Sequence, residues 1–241
     1  MSDPLGEYVE EVRADPDSLG LLLHGSRGSG VERAGSDYDL IRVVADAAYE
    51  ARSRERRHEK LGAIDVLYES PQRLRRLAES PGWWTATYAD ARVLVDATGE
   101  LEPLVRAMVE RAGEAAWNGV AEAYDSYLNS WVRSLKAWRG DDALGGRLHA
   151  AESALHLVRT LFGLARRWPP YHDRLAPQLP GLEAELGWEQ GSLAPALQRL
   201  LDGEPAFQQE LEQRVEELLA ARGFAHEWGG DLEPLKALRF D

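Results

Sequence analysis

Two rhythms of apolar residues divide the chain. In the first hundred residues the apolar runs are short, at 19–24, 38–44, 63–68 and 91–95. Each is closed by Gly, Asp or a charged cluster, so each reads as a buried strand. Helical stretches fall around them, at 5–14, 47–60 and 71–79. Strands alternating with helices predict a sheet layered with helices. Beyond Gly99 the spacing lengthens. Segments 101–113, 115–139, 141–167 and 205–222 carry apolar residues at helical intervals and are rich in Ala, Leu, Glu and Arg. Gly140, Pro169-Pro170, Pro177, Pro180-Gly181, Gly203 and Gly223 punctuate them. The pattern predicts a two-part chain: residues 1–100 as an α+β domain, and residues 101–241 as an all-α bundle of about five helices.

Composition narrows the function classes. The 241 residues include no Cys, which excludes a disulfide scaffold, a thiolate zinc site and a cysteine nucleophile together. There are 28 Lys+Arg against 41 Asp+Glu, a net charge of −13. That balance disfavours a chain that lives on nucleic acid, where phosphate binding needs positive charge. The N-terminus lacks the apolar stretch of a signal peptide, and no apolar run is long enough to span a bilayer. The expectation is a cytoplasmic protein without a membrane partner.

The chemistry concentrates in residues 21–40, Leu-Leu-Leu-His-Gly-Ser-Arg-Gly-Ser-Gly-Val-Glu-Arg-Ala-Gly-Ser-Asp-Tyr-Asp-Leu. A buried strand runs into Gly25-Ser26, where a glycine lets the backbone approach a ligand closely. Ser26 adds a hydroxyl and Arg27 a permanent charge. Asp37 and Asp39 then alternate onto one face of the next strand. Adjacent carboxylates repel unless a cation lies between them. Their hard oxygens suit Mg²⁺, which shares substrate phosphates. A third carboxylate, Asp65, sits in the apolar run Ala-Ile-Asp-Val-Leu, where an unpaired charge would be costly. If its strand lies beside that of Asp37 and Asp39, three carboxylates meet. That arrangement suits two metals clamping the attacking and leaving oxygens of a phosphoryl or nucleotidyl transfer. Asp-x-Asp alone, or Gly-Ser alone, is a weak signal; their conjunction with strands on either side is not.

Gly25-Ser26, ten residues, then Asp37-Tyr38-Asp39, with Asp65 following, resembles the signature of the DNA polymerase β-like nucleotidyltransferase superfamily. Within it the chain resembles small bacterial antibiotic nucleotidyltransferases, of aminoglycoside and lincosamide type, that carry a helical C-terminal domain. The resemblance implies a short mixed sheet with helices on one side, and a Mg²⁺-dependent enzyme, with two ions, that uses ATP as co-substrate. It assigns Gly25, Ser26 and Arg27 to the nucleotide triphosphate. Asp37, Asp39 and Asp65 become metal ligands and catalytic residues, Asp65 also as activator of the acceptor hydroxyl. Gly28-Ser29-Gly30 departs from relatives that place a basic residue after Gly-Ser-Arg.

The helical half offers fewer signals. His149, Glu152 and His156 lie near one helix face. They make either a wet surface or, through Glu152, an acceptor-binding or general-base group on the wall of a cleft facing the carboxylates. Arg133, Lys136 and Arg139 share another face, from which Lys136 is the nucleotide-binding candidate; a solvated basic face is the alternative. The run Arg52-Ser-Arg-Glu-Arg-Arg-His-Glu-Lys60 reads as a solvated helix or loop, with a triphosphate contact as the unsupported alternative. Glu210, Glu212, Glu216 and Glu217, in a Glu/Gln-rich helix, read as solvated surface.

Two functions fit. In the first, the chain moves a nucleoside monophosphate, AMP from ATP, onto a hydroxyl of a small molecule such as an aminoglycoside-like antibiotic. In the second, it modifies or binds a partner protein, as antitoxin-like relatives do. The long helical half favours the first. A homodimer is left open.

Overall fold

The computed structural model describes residues 3–30, 32–55 and 57–240. The elements run α1 (Pro4–Ala14), β1 (Ser18–His24), α2 (Gly25–Gly28), β2 (Tyr38–Val44), α3 (Asp46–Glu55), β3 (His58–Leu61), β4 (Ile64–Glu69), α4 (Pro71–Glu79), α5 (Trp83–Ala86) and β5 (Arg92–Asp96). They continue with α6 (Leu101–Asn118), α7 (Val120–Arg139), α8 (Ala143–Leu164), α9 (Leu179–Leu186), α10 (Leu193–Asp202), α11 (Pro205–Ala220) and the short α12 (Glu233–Lys236). The chain is α+β, a mixed sheet with its helices followed by a helical region. It divides into two compact units, Met1–Gly113 and Glu114–Asp241. The division falls inside α6, whereas composition alone places it after residue 100. The reason is packing: Leu101, Val105 and Met108, all from the first turns of α6, are buried in the core of the sheet unit.

The sheet has the order β3-β4-β2-β1-β5. β2 pairs in parallel with β4, and every other pairing is antiparallel. Both faces are covered, not one. Leu21, Leu23, Leu40, Val44, Ile64 and Val66 pack with Tyr8 and Val12 of α1. Leu22, Ile41 and Val43 pack on the other face with Leu74 and Ala78 of α4 and with α6. This explains why β1 and β2 read as continuous apolar runs: a strand buried on both faces has no polar alternation to show. The exception is Arg42, 3% exposed, in the middle of β2. Its guanidinium donates to Ser18 Oγ (2.8 Å), Glu11 (2.8 Å) and Asp15 (2.6 Å), tying α1 to the sheet.

Residues 47–60 do not form one helix. α3 ends at Glu55, and His58–Leu61 form an edge strand that turns at Gly62 (φ +64°) into β4. Charged edge strands are common because charge blocks edge-to-edge pairing, and here that charge masked the strand in the sequence.

Asp96 joins the sheet to α6. Its carboxylate accepts from the backbone N–H groups of Gly99 (2.8 Å), Leu101 (3.0 Å) and Glu102 (3.2 Å). Burial pushes its pKa up, but the backbone donors outweigh burial and hold it below the ordinary 3.8. Asp96→Ala is expected to cost about 1–2 kcal/mol, as loss of a helix cap does. Because the folded-state value is depressed, this stability is complete above about pH 4 and is lost as pH falls through the folded pKa. Denaturant melts of wild type and Asp96→Ala should therefore differ at pH 7 and converge in acid. A constant difference down to pH 2 would rule out the ionised cap.

In the second unit, α7 and α8 supply the centre of the core. Trp131, Leu128 and Leu135 are fully buried with Leu157, Leu161 and Phe162, joined by residues of α9, α10 and α11. Glu212 is not solvated surface. It is fully buried on α11, with the Tyr124 hydroxyl 3.5 Å and Lys236 Nζ 3.5 Å from its carboxylate, and burial raises its pKa. Glu216 is half-buried and binds Lys236 (2.7 Å) and His226 (2.9 Å). Only Glu210 and Glu217 of the four are exposed. Glu212 sits one position from Leu211 and three from Val215, both buried, so the core face of α11 includes it.

Candidate active site

Strand pairing places the candidate carboxylates. In register across the sheet lie Lys60 of β3, Asp65 of β4, Asp39 of β2 and His24 of β1. Residues in register share a face, so these four side chains form one cross-strand row. Alternation puts Asp39 on the same face as Ile41 and Val43, the face covered by α4 and α6, at its end beyond the apolar cluster. Asp37 is two residues before Asp39, just ahead of β2.

Basic side chains of β3 already engage the row. Lys60 Nζ donates to Asp37 Oδ2 at 2.6 Å. The hydrogen bond to Asp37 raises the Lys60 pKa, and the charges of Asp37, Asp65 and Asp39 add to it. His58 Nε2 hydrogen-bonds Asp65 Oδ1. His58 and Lys60 alternate onto one face, which is why two residues of one strand reach two neighbouring carboxylates. With Asp37 and Asp65 turned toward β3, no three His, Asp or Glu side chains among the described residues are grouped to hold an ion as they stand. Carboxylate oxygens are the hard donors that Mg²⁺ takes, but here Asp37 is bonded to Lys60 and Asp65 to His58.

Gly25 opens the turn after β1 with φ +69°, a conformation that favours glycine. A Cβ there would overlap Asp39 Oδ2 and lie 2.8 Å from Asp39 Cγ. The close approach that requires glycine is thus to a carboxylate of the row. Gly28 is also constrained, since a Cβ would lie 2.8 Å from Asp90 O and 2.9 Å from Leu23 O. Ser26 is partly exposed in the α2 turn, and its carbonyl accepts from Ser29 Oγ at 3.2 Å. Arg27 is partly committed to its own loop. Its Nε donates to Ser36 O at 3.0 Å, and its guanidinium lies 4.1 Å from the centre of the Tyr38 ring. Arg27 therefore braces the segment that delivers Asp37.

Glu152 and Lys136 belong to the other unit. Glu152 is exposed on α8 and hydrogen-bonds His149 Nδ1 at 3.0 Å. Lys136 is exposed on α7. His24, His58 and Lys60 were not among the sequence candidates. The available signal was the alternation His58-Glu59-Lys60 ahead of Gly62 and the Asp65 strand, hidden inside a mixed-charge run.

No family model matches the chain, and neither does any curated protein. Among solved structures it is similar to a nucleotidyltransferase-like protein from Exiguobacterium sibiricum. The two share 13% identity and a TM-score of 0.41, with 96% of this chain and 85% of that one covered. Among the described residues no helix is long and apolar enough to cross a membrane.

Proposed function

We propose that the chain is a Mg²⁺-dependent nucleotidyltransferase that moves AMP from ATP to a hydroxyl of a small acceptor, with an aminoglycoside-like antibiotic as one candidate class. The observation that carries the reading is the register of Asp39 with Asp65 on parallel neighbouring strands, with Asp37 two residues upstream and Gly25 against Asp39. Asp37, Asp39 and Asp65 would hold the metal, which when bound supplies charge neutralisation at the phosphates. In the transfer, the acceptor oxygen bonds to the α-phosphorus, the bond to the β-phosphate oxygen breaks, and pyrophosphate leaves. The hydroxyl proton passes to a carboxylate, for which Asp65 is assigned. Ser26 and the glycine turn contribute positioning on the nucleotide side, and positioning is much of what such an enzyme provides.

The test is incubation with Mg²⁺, ATP labelled at the α-phosphate and a panel of hydroxyl-bearing acceptors. Label on an acceptor with equimolar pyrophosphate is the expected result. Label on a partner protein alone would move the reading to a protein acceptor. No transfer to any acceptor, together with no ATP binding, would overturn it.

A further inference from the structure

An exposed edge strand can leave its charged side chains in water. In β3, His58 and Lys60 are each more than half exposed, yet each also bonds a carboxylate of the row. Three carboxylates on one sheet end repel one another unless positive charge is supplied. The Lys60 ammonium supplies it, bonded to Asp37 at 2.6 Å and sharing a cross-strand register with Asp65, next to Asp39. Its side chain is also 56% exposed, on a flexible four-carbon stem, so it can swing away without disturbing the core. An ammonium and a divalent ion held on the same Asp37 oxygen repel each other, so each weakens the other's hold on it.

We propose that Lys60 is a displaceable resident cation: it holds Asp37 in the row when no divalent ion is bound and competes with that ion for Asp37. The inference rests on the reading of the three carboxylates as a metal site. It makes Lys60 a residue that sets metal affinity, not one that touches substrate. It also separates Lys60 from a plain surface ion pair, since removing a plain pair would leave metal affinity unchanged or lower it by disordering Asp37.

The test is direct titration of Mn²⁺ into the full chain without nucleotide, at fixed pH and ionic strength, for wild type, Lys60→Met and Lys60→Arg. Lys60→Met is expected to bind Mn²⁺ roughly three- to tenfold tighter, the scale of removing one partly screened charge beside an ion site. Its melting temperature without metal should fall below wild type, and the gain on adding Mn²⁺ should be larger. Lys60→Arg keeps the charge and a better carboxylate fork, so it should bind no tighter than wild type. In an Asp37→Asn background the Lys60→Met effect should shrink, because the contested oxygen is gone. If wild type binds Mn²⁺ and Lys60→Met binds equally or more weakly, the competition is refuted while the metal site stands. If neither binds at millimolar Mn²⁺, the metal-site reading falls and the inference falls with it.

Discussion

Asp39→Asn is expected to lower nucleotidyl transfer by about a thousandfold, with the melting temperature equal to or above that of wild type. Asn fills the same volume, so packing against Gly25 persists, while one of three mutually repelling charges is removed. The kinetic loss follows from the role assigned to Asp39. A ligand that fixes a divalent ion at a transferring phosphate is worth several kcal/mol in the transition state, and each ~1.4 kcal/mol is a factor of ten. Transfer assays and thermal melts on the same preparation separate the two outcomes. Full activity in Asp39→Asn would sink the assignment of the row as the reaction centre, and a large drop in melting temperature would make Asp39 a structural residue instead.

Gly25→Ala carries the second large effect. At φ +69° an alanine is strained by about 1–2 kcal/mol. More important, its methyl group would occupy the position of Asp39 Oδ2. The carboxylate must move, so transfer should fall nearly as far as in Asp39→Asn, now with a lower melting temperature. The two effects are coupled. In an Asp39→Ala background the carboxylate is gone and only the Cβ of residue 39, 3.1 Å away, remains, so Gly25→Ala should cost little beyond the backbone strain. A double-mutant cycle on melting free energies reads this directly; additive effects would mean that Gly25 and Asp39 do not touch.

Much of the sheet was legible because its strands are short apolar runs with clear stops. The apolar run 38–44 is the span that β2 occupies, and the helical stretch 71–79 is that of α4. The alternation that put Asp37 and Asp39 on one face needed only the period of a strand. What periodicity could not show was neighbourhood. Nothing in the spacing says that β4 lies parallel to β2 with Asp65 opposite Asp39, or that a charged edge strand precedes it. His58 and Lys60 therefore stayed inside a run of mixed charge that most chains leave in water. Glu212 was missed for a related reason. A Glu on a helix is read as solvated unless its tertiary partners are known, and Tyr124 and Lys236 are far away in sequence. Glu152 and Lys136 are candidates from their helix faces and, for Glu152, from the resemblance; both side chains are exposed, while His149 and His156 beside Glu152 are partly buried.

The course of α6 sets how this chain can be taken apart. Its first turns plug the sheet core with Leu101, Val105 and Met108, and the same uninterrupted helix then runs into the second unit. A fragment of the sheet unit cut where the composition changes, after residue 100, would expose the apolar residues that Leu101, Val105 and Met108 cover. One carried through Gly113 keeps its plug. For genetic exchange between proteins, a workable crossover lies inside a helix, not in a loop.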